Sequence, residues 1–273
     1  MMYLKTISFF SLVILISCGI SREEMAKERL NEAIRLSKEG NYNLAKIKLD
    51  SLIVLFSDQP DLTDQASKIL AGIHLQEQQR NLAFIDSVIF NQEEKLKSMM
   101  KNFIESDEYG SEKILIHKRQ KPENSYNRTF IRAHADLKGN FYISSRYYGT
   151  KWINHHQIKV YYQGKSATTE SIKEDGFNNR KFEDGESKWE IVNYKDGTDN
   201  GVIDFIASNW KDPLRVQFIG KGYEYIIMEL YDREAIRDGY EISFVLKDLN
   251  KLKLERNKTK REIETLSKTA NQK

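Results

Sequence analysis

The chain has 273 residues, which is enough for two modest domains or one large one. Its 43 basic and 40 acidic side chains nearly balance, and this argues against a nucleic-acid-binding protein, because such proteins concentrate positive charge on one surface. With three prolines and 30% charged residues, the composition favours long solvated helices over a disordered chain.

The N-terminus has the pattern of a signal peptide over residues 1–17. Lys5 supplies a positive charge, and Ile7 to Ile16 is an apolar run interrupted only by serines. A run of about ten residues is too short to span a membrane as a helix, which needs about 20. Residues 15–18, LISC in one-letter code, resemble the lipobox of bacterial lipoproteins. The resemblance implies cleavage before Cys18 and lipidation of its thiol, so the membrane is a predicted partner.

The residues around the cysteine extend this interpretation. Cys18 is the chain's only cysteine, so no intramolecular disulfide can form, and we expect residues 18–22 to serve as lipid anchor and tether. Gly19 and Ile20 follow where an inner-membrane retention signal usually places Asp. In a Gram-negative cell the lipobox resemblance therefore implies an outer-membrane lipoprotein, facing either the periplasm or the cell surface. An ordinary signal peptide with an incidental cysteine is the alternative.

Residues 23–110 read as a helical domain that begins with a hairpin of two helices, from Glu23 to about Asn41 and from about Tyr42 to Phe56. The stretch 40–45, GNYNLA, together with Leu49 and Leu52, resembles the middle of a tetratricopeptide repeat. Residues 55–60 add a likeness to the repeats of outer-membrane assembly lipoproteins. The chain departs from the pattern because Leu52 stands where a small residue is usual. Any other helical hairpin is the alternative.

A third helix, predicted from about Leu62 to Phe103, carries apolar residues at alternating spacings of three and four, the pattern of a coiled-coil seam. Residues 242–270 repeat that alternation in a charged C-terminal helix, assigned to 232–273. Two arrangements are compatible with these seams. The two helices pair antiparallel as a stalk that carries the β domain, with Gln92 near Arg256 helping to set the register. Alternatively, the C-terminal helix packs against the β domain and frays after Glu255.

Residues 111–231 change to a period of two and are predicted to form a β-rich domain, an antiparallel sandwich or an open barrel in a chain of the α+β class. We expect the segment 171–188 to be a long exposed loop. The predicted strands are Lys113–Lys118, Thr129–Asp136, Asn140–Tyr147, His156–Tyr162, Lys165–Ile172, Trp189–Tyr194, Gly201–Ala207, Leu214–Ile219 and Tyr223–Leu230.

No motif for catalysis or for a cofactor is present in the sequence, so neither catalytic residues nor a cofactor are predicted. His155 and His156 are adjacent on a strand and therefore point to opposite faces, which argues against a shared metal ion. The oxygen-rich segment 196–201 faintly resembles a calcium loop but lacks the ligand alternation, and we expect a hairpin turn there. Trp152 and Trp210 are candidates for stacking on a sugar ring, with packing in the core as the alternative.

These observations predict a membrane-anchored binding or structural module of the cell envelope with an envelope protein as its partner. A glycan-binding module that uses the β-domain aromatics is the second hypothesis, and a hydrolase whose site is assembled from distant residues is the third. The Asp-Ser-apolar tripeptides at residues 50–52 and 86–88 resemble O-glycosylation sites of Bacteroidetes-type exported proteins. Together with the helical and β-rich organisation, they give the chain the style of Bacteroidetes-type lipoproteins.

Overall fold

The computed structural model describes residues 21–107 and 113–271 and confirms the α+β class. Its helices are α1 (Arg22–Lys38), α2 (Tyr42–Leu55), α3 (Pro60–Met99), α4 (Val202–Ser208) and α5 (Leu230–Ala270). The chain forms two compact units, a helical unit of residues 21–82 and 258–271 and a β unit of residues 83–257. Among the described helices, none combines the length and apolar character needed to cross a membrane.

The helical unit contains the predicted hairpin. Helix α1 begins at Ser21, whose hydroxyl accepts the Glu24 N–H at 3.1 Å while the Glu24 carboxylate accepts the Ser21 N–H at 2.9 Å. Gly40 turns the chain in the left-handed region at φ +83°, which a glycine adopts without strain. In α2, Ala45 and Leu52 are fully buried against α1, so the hairpin is confirmed. Its likeness to a tetratricopeptide repeat stays a prediction.

The C-terminal helix begins two residues earlier than its assigned range of 232–273 and does not fray. Helix α5 begins at Leu230, where the sequence predicted the end of a strand, and it continues to Ala270. The predicted fraying after Glu255 is therefore wrong, since the segment from residue 258 joins the helical unit and buries Thr259 there.

Both long helices cross the division between the two units. The sequence placed its boundaries at 110/111 and 231/232, whereas the compact units divide after Leu82 and after Asn257.

The β unit holds two antiparallel sheets. One has the strand order β1-β2-β3-β4-β8-β7 and the other β10-β9-β5-β6. The strands are β1 (Phe103–Ser106), β2 (Ile114–His117), β3 (Phe130–Asp136), β4 (Phe141–Gly149), β5 (Gln157–Tyr162), β6 (Lys165–Thr168), β7 (Asn179–Asp184), β8 (Ser187–Tyr194), β9 (Arg215–Ile219) and β10 (Tyr223–Ile227). Short 3-10 turns lie at Met100–Asn102, Lys118–Gln120 and Pro122–Asn124.

A shared core joins the two sheets. Ile131 and Val192 contribute from the six-stranded sheet, and Val160 and Phe218 contribute from the four-stranded sheet. Helices α4 and α5 add Ile206 and Ile236 to the same cluster. Because each strand alternates its side chains, one face of each sheet is committed to this core and the other face is left for other contacts.

Three predictions about this region are wrong. The predicted strand at 201–207 is helix α4, in which Val202, Ile203 and Ile206 are buried on one face, and the Asp199 carboxylate accepts the Ile203 N–H at 3.3 Å. The β-branched composition suggested a strand, but burial at spacings of one and four suits a helix. The predicted loop 171–188 contains β7, and the predicted helical domain 23–110 contains β1. Both are edge strands, whose weak alternation gives little signal.

Within the β unit, α3 and α5 pair antiparallel as predicted. Ile85 and Ile89 pack against Val245 and Leu249, and salt bridges flank this seam. A carboxylate oxygen of Asp86 lies 2.6 Å from Arg256 Nε, and one of Glu93 lies 2.7 Å from Lys253 Nζ.

The predicted partnership of Gln92 with Arg256 is wrong. Arg256 is opposite Asp86, which lies six residues from Gln92, or roughly 9 Å along the helix. The buried amide oxygen of Gln92 has no hydrogen-bond partner among the described residues.

Candidate functional site

Two arginines lie on the outer face of the six-stranded sheet, opposite the shared core. On β3, Ile131 and Ala133 point into the core, so Arg132 between them points outward. Arg132 pairs with Ser144 of β4, and Arg146 lies two residues further along the same strand, on the same face. Arg132 is only 2% exposed, and an arginine buried to this extent is held by partner groups.

Several cations lie near His134 on this face. Burial, followed by the charges of Arg132 and Arg146 and then of Lys195 and Arg180, holds the pKa of His134 well below its usual value of 6.5. A histidine whose neighbours include four cations stays neutral, because protonation would add a fifth positive charge in a desolvated environment.

Aromatic side chains surround the arginines. The Phe182 and Trp189 rings are stacked, with centroids 5.8 Å apart and planes inclined by 5°. Tyr126 is largely exposed at the rim. Together these groups enclose a cavity of about 270 Å³, lined by Pro122, Ser125, Tyr126, Arg132, Arg146, Phe182, Asp184, Trp189 and Ile191. We call it the arginine–aromatic cavity.

The chemistry of this cavity follows from its two kinds of side chain. A guanidinium offers several N–H donors in one plane and binds carboxylate or phosphate oxygens in pairs. Aromatic rings supply apolar contact area at a small cost in side-chain entropy. The arrangement suits an anionic group attached to an apolar or planar body. Among the described residues, one acid, Asp184, and two arginines line it.

A larger cavity of about 720 Å³ lies beside the β3–β4 hairpin and is a weaker candidate. Its lining includes two acids, Asp136 and Asp196, and two lysines, Lys195 and Lys247. The charges cancel, and the Asp136 carboxylate already accepts N–H groups of its own hairpin at 2.8 and 2.9 Å. The lining therefore defines no ligand chemistry as clearly as the arginine–aromatic cavity does.

A second polar cluster lies inside the shared core and has the order of a hydrolytic triad. Ser145 Oγ is 2.8 Å from His155 Nε2, and His155 Nδ1 is 2.7 Å from Glu190 Oε2. The Tyr194 hydroxyl lies 3.1 Å from Ser145 Oγ. Burial lowers the pKa of His155 despite its Glu190 partner, so the ring is neutral and donates from Nδ1 to the carboxylate.

This cluster is structural in the observed conformation. Ser145, His155 and Glu190 are all fully buried, so no substrate reaches the serine hydroxyl. The Glu190 carboxylate also accepts the backbone N–H groups of residues 153–155 at 2.7–2.8 Å. Burial alone raises the pKa of Glu190, but the histidine and the backbone donors outweigh it and lower the pKa. The carboxylate therefore ties the segment before β5 to β8.

The sequence-predicted site residues do not assemble into one site. Trp210 has the Arg237 guanidinium 3.9 Å from its ring centroid, and Trp152 has Lys188 Nζ at 5.5 Å, so a cation covers a face of each ring. Neither lines the arginine–aromatic cavity. His155 and His156 point to opposite sides as predicted. In residues 21–107 and 113–271 no group of three or more metal-binding side chains occurs. The predicted lipid anchor Cys18 lies outside the described residues.

Sequence reasoning missed the arginine–aromatic cavity because it treated charged residues as solvated. The available signal was Arg132 and His134 alternating with apolar residues inside β3, a strand that is buried on both faces. Charges at such positions are almost always paired with other groups. Comparison with known proteins adds no further assignment: no family model, curated protein or solved structure shows significant similarity to this chain.

Proposed function

We propose that this protein is a non-catalytic binding module of the cell envelope, anchored through lipid on Cys18, and that its arginine–aromatic cavity receives an acidic, aromatic-bearing segment of an envelope protein. The observation that carries the proposal is a cavity walled by the stacked Phe182 and Trp189 rings and the exposed Tyr126, with Arg132 and Arg146 in its lining. Electrostatic complementarity of this kind selects partners and orients them.

The size of the cavity favours a protein segment over a free small molecule. At about 270 Å³ it lies below the range of roughly 300–1,000 Å³ that encloses a drug-sized ligand. One carboxylate side chain and a neighbouring ring fill such a space, while the rest of the partner contacts the rim. Trp, Tyr and Arg, the residue types that line the cavity here, are those enriched at interface hot spots.

The interaction can be tested by photo-crosslinking in the native cell. A photoreactive phenylalanine analogue in place of Tyr126 stands at the rim of the cavity, and the same analogue in place of Phe177 is an equally exposed control outside it. We expect a specific crosslinked protein from position 126 only. Arg146→Gln removes one charge-assisted contact, which is worth about 1.5–3 kcal/mol, and should abolish that product.

Two outcomes would overturn the proposal. Identical products from positions 126 and 177 would show that the cavity selects nothing. A crosslinked partner that persists at the wild-type level in Arg146→Gln would show that the arginine pair does not recognise it. The anchor is tested separately, because Cys18→Ser should move the protein from the membrane fraction to the soluble envelope fraction.

A further inference from the structure

The outer face of the four-stranded sheet carries exposed tyrosines. Val160 and Tyr162 of β5 pack into the shared core, so Tyr161 between them points outward. On β10 the exposed positions alternate, and Tyr223, Tyr225 and Ile227 are 66%, 51% and 62% exposed. We call the outward-facing side chains of β5, β9 and β10 the tyrosine face. Large side chains this exposed, side by side on a rigid sheet, indicate a contact surface.

The strand register gives the tyrosine face its dimensions. Tyr225 pairs with Gln217 of β9, and Gln217 pairs in turn with Lys159 of β5, so one row crosses three strands. Tyr161 and Ile227 both pair with Arg215 in the next row. Since neighbouring strands lie about 4.8 Å apart, Tyr161 is roughly 10 Å across the sheet from β10. A single sugar ring cannot span that distance, whereas a chain of several rings can.

The charged side chains of the tyrosine face are all positive. The register places Gln157, Lys159, Arg215 and Gln217 among the rings. The three strands contain one acidic residue, Glu224, which alternates with the tyrosines along β10 and therefore points to the opposite face of the sheet. In a chain with nearly balanced charge, a face with two cations and no acid favours an anionic ligand.

We propose that the tyrosine face binds an acidic polysaccharide built of uronic acids. The tyrosine rings stack against the apolar faces of the sugar rings, the two glutamine amides bond to hydroxyl groups, and Lys159 and Arg215 bind the carboxylates. Nucleic acid is disfavoured, since it requires a larger concentration of positive charge. A protein partner is the alternative outcome, and it would leave both acidic polysaccharide probes unbound. The proposal is independent of the arginine–aromatic cavity.

The test is calorimetric titration of the full-length lipoprotein in detergent with two probes of different chain geometry, polygalacturonate and alginate. We expect saturable binding of at least one, weakened in 500 mM salt because the carboxylate contacts are screened. The double variant Tyr223→Ala/Tyr225→Ala should bind roughly tenfold more weakly, since each ring contributes in the range of an aromatic pair. Phe90→Ala/Phe177→Ala removes two equally exposed rings elsewhere and should leave the affinity unchanged.

Charge is tested with a matched ligand. Methyl-esterified polygalacturonate keeps the sugar chain but has no free carboxylates, so it should bind the wild type more weakly than polygalacturonate does. Its affinity should be the same for the wild type and for Arg215→Gln. Binding of neither acidic probe would overturn the proposal, as would binding that the tyrosine substitutions leave intact. Arg146→Gln should bind these probes normally; a loss there would place the polysaccharide in the arginine–aromatic cavity and refute the assignment to the tyrosine face.

Discussion

The buried Glu190 carboxylate offers the sharpest test of the structure. It accepts four hydrogen bonds, from the backbone N–H groups of Ile153, Asn154 and His155 and from the His155 ring, at 2.7–2.8 Å. Each carboxylate oxygen accepts two of them. Glu190→Gln keeps the shape but turns one oxygen into an NH2 group, which then faces two N–H donors whichever way the amide is oriented.

The expected cost follows from these contacts. Two hydrogen bonds to a charged acceptor are lost, at about 1.5–3 kcal/mol each, and the remaining donors stay buried without an acceptor. Because the His155 ring is neutral, the loss is one of charge-assisted hydrogen bonds, and we expect the free energy of unfolding to fall by about 3–6 kcal/mol. Ser145→Ala removes only a neutral hydroxyl and should cost about 1 kcal/mol.

Urea unfolding monitored by tryptophan fluorescence measures this effect cleanly. The chain's three tryptophans, at 152, 189 and 210, all lie in the β unit, so the signal is not mixed with unfolding of the helical unit. The reasoning is refuted if Glu190→Gln unfolds within 1 kcal/mol of the wild type, because the carboxylate would then not hold the segment before β5.

Three further predictions use the same assay. Burial holds the pKa values of His134 and His155 below 6.5, so on acidification the unfolded chain binds protons at a higher pH than the folded chain does. The free energy of unfolding should therefore fall as the pH drops below 6.5, by up to about 2.7 kcal/mol per pH unit. His134→Asn should halve this dependence on pH. Gly139→Ala should lower the free energy of unfolding by well over 1 kcal/mol, because at φ +85° the new Cβ would lie 2.6 Å from a backbone oxygen of α5. The control Gly185→Ala also has a positive φ but has open space around the Cβ, so it should lower the free energy of unfolding by only about 1 kcal/mol. An equal loss at both glycines would exclude the clash. Gln92→Leu should stabilise the β unit by about 1 kcal/mol, since the buried amide oxygen lacks a partner within the described chain, and a loss of stability would argue against that burial.

The two proposals place a protein segment and an acidic polysaccharide on different sheets of one β unit. The arginine–aromatic cavity lies on the outer face of the six-stranded sheet, and the tyrosine face lies on the outer face of the four-stranded sheet. The shared core between them is occupied by apolar residues and the Glu190 cluster. A protein partner and a polysaccharide can therefore be bound by one molecule without competing for the same side chains.

Local patterns in the sequence were sufficient for most elements of the fold. The a/d spacing predicted the pairing of α3 with α5, and Gly40 with Ala45 predicted the turn and close approach of the first hairpin. Eight of the predicted strands overlap strands of the two sheets, because alternation with a period of two is a property of the strand itself. The α+β class follows from these patterns alone.

Other features depend on residues that are distant in the sequence. Val202 to Ser208 became a helix because its apolar positions meet the core formed by both sheets, and no local pattern contains that information. Ser145, His155 and Glu190 come from three separate segments; the pairing of β4 with β8 and the packing of the segment before β5 bring them within hydrogen-bond distance.

The candidate sites depend on tertiary structure for the same reason. Alternation along β3 and β10 predicts that Arg132 and Tyr225 each lie on one of the two faces of a sheet, but it does not predict which face is covered by the core. Only the packing of the two sheets around a common core decides that, and it leaves the arginines beside Trp189 and the tyrosines in solvent. The sequence determined the elements and the predicted anchor, whereas the pairing of the sheets determined which side chains meet a ligand.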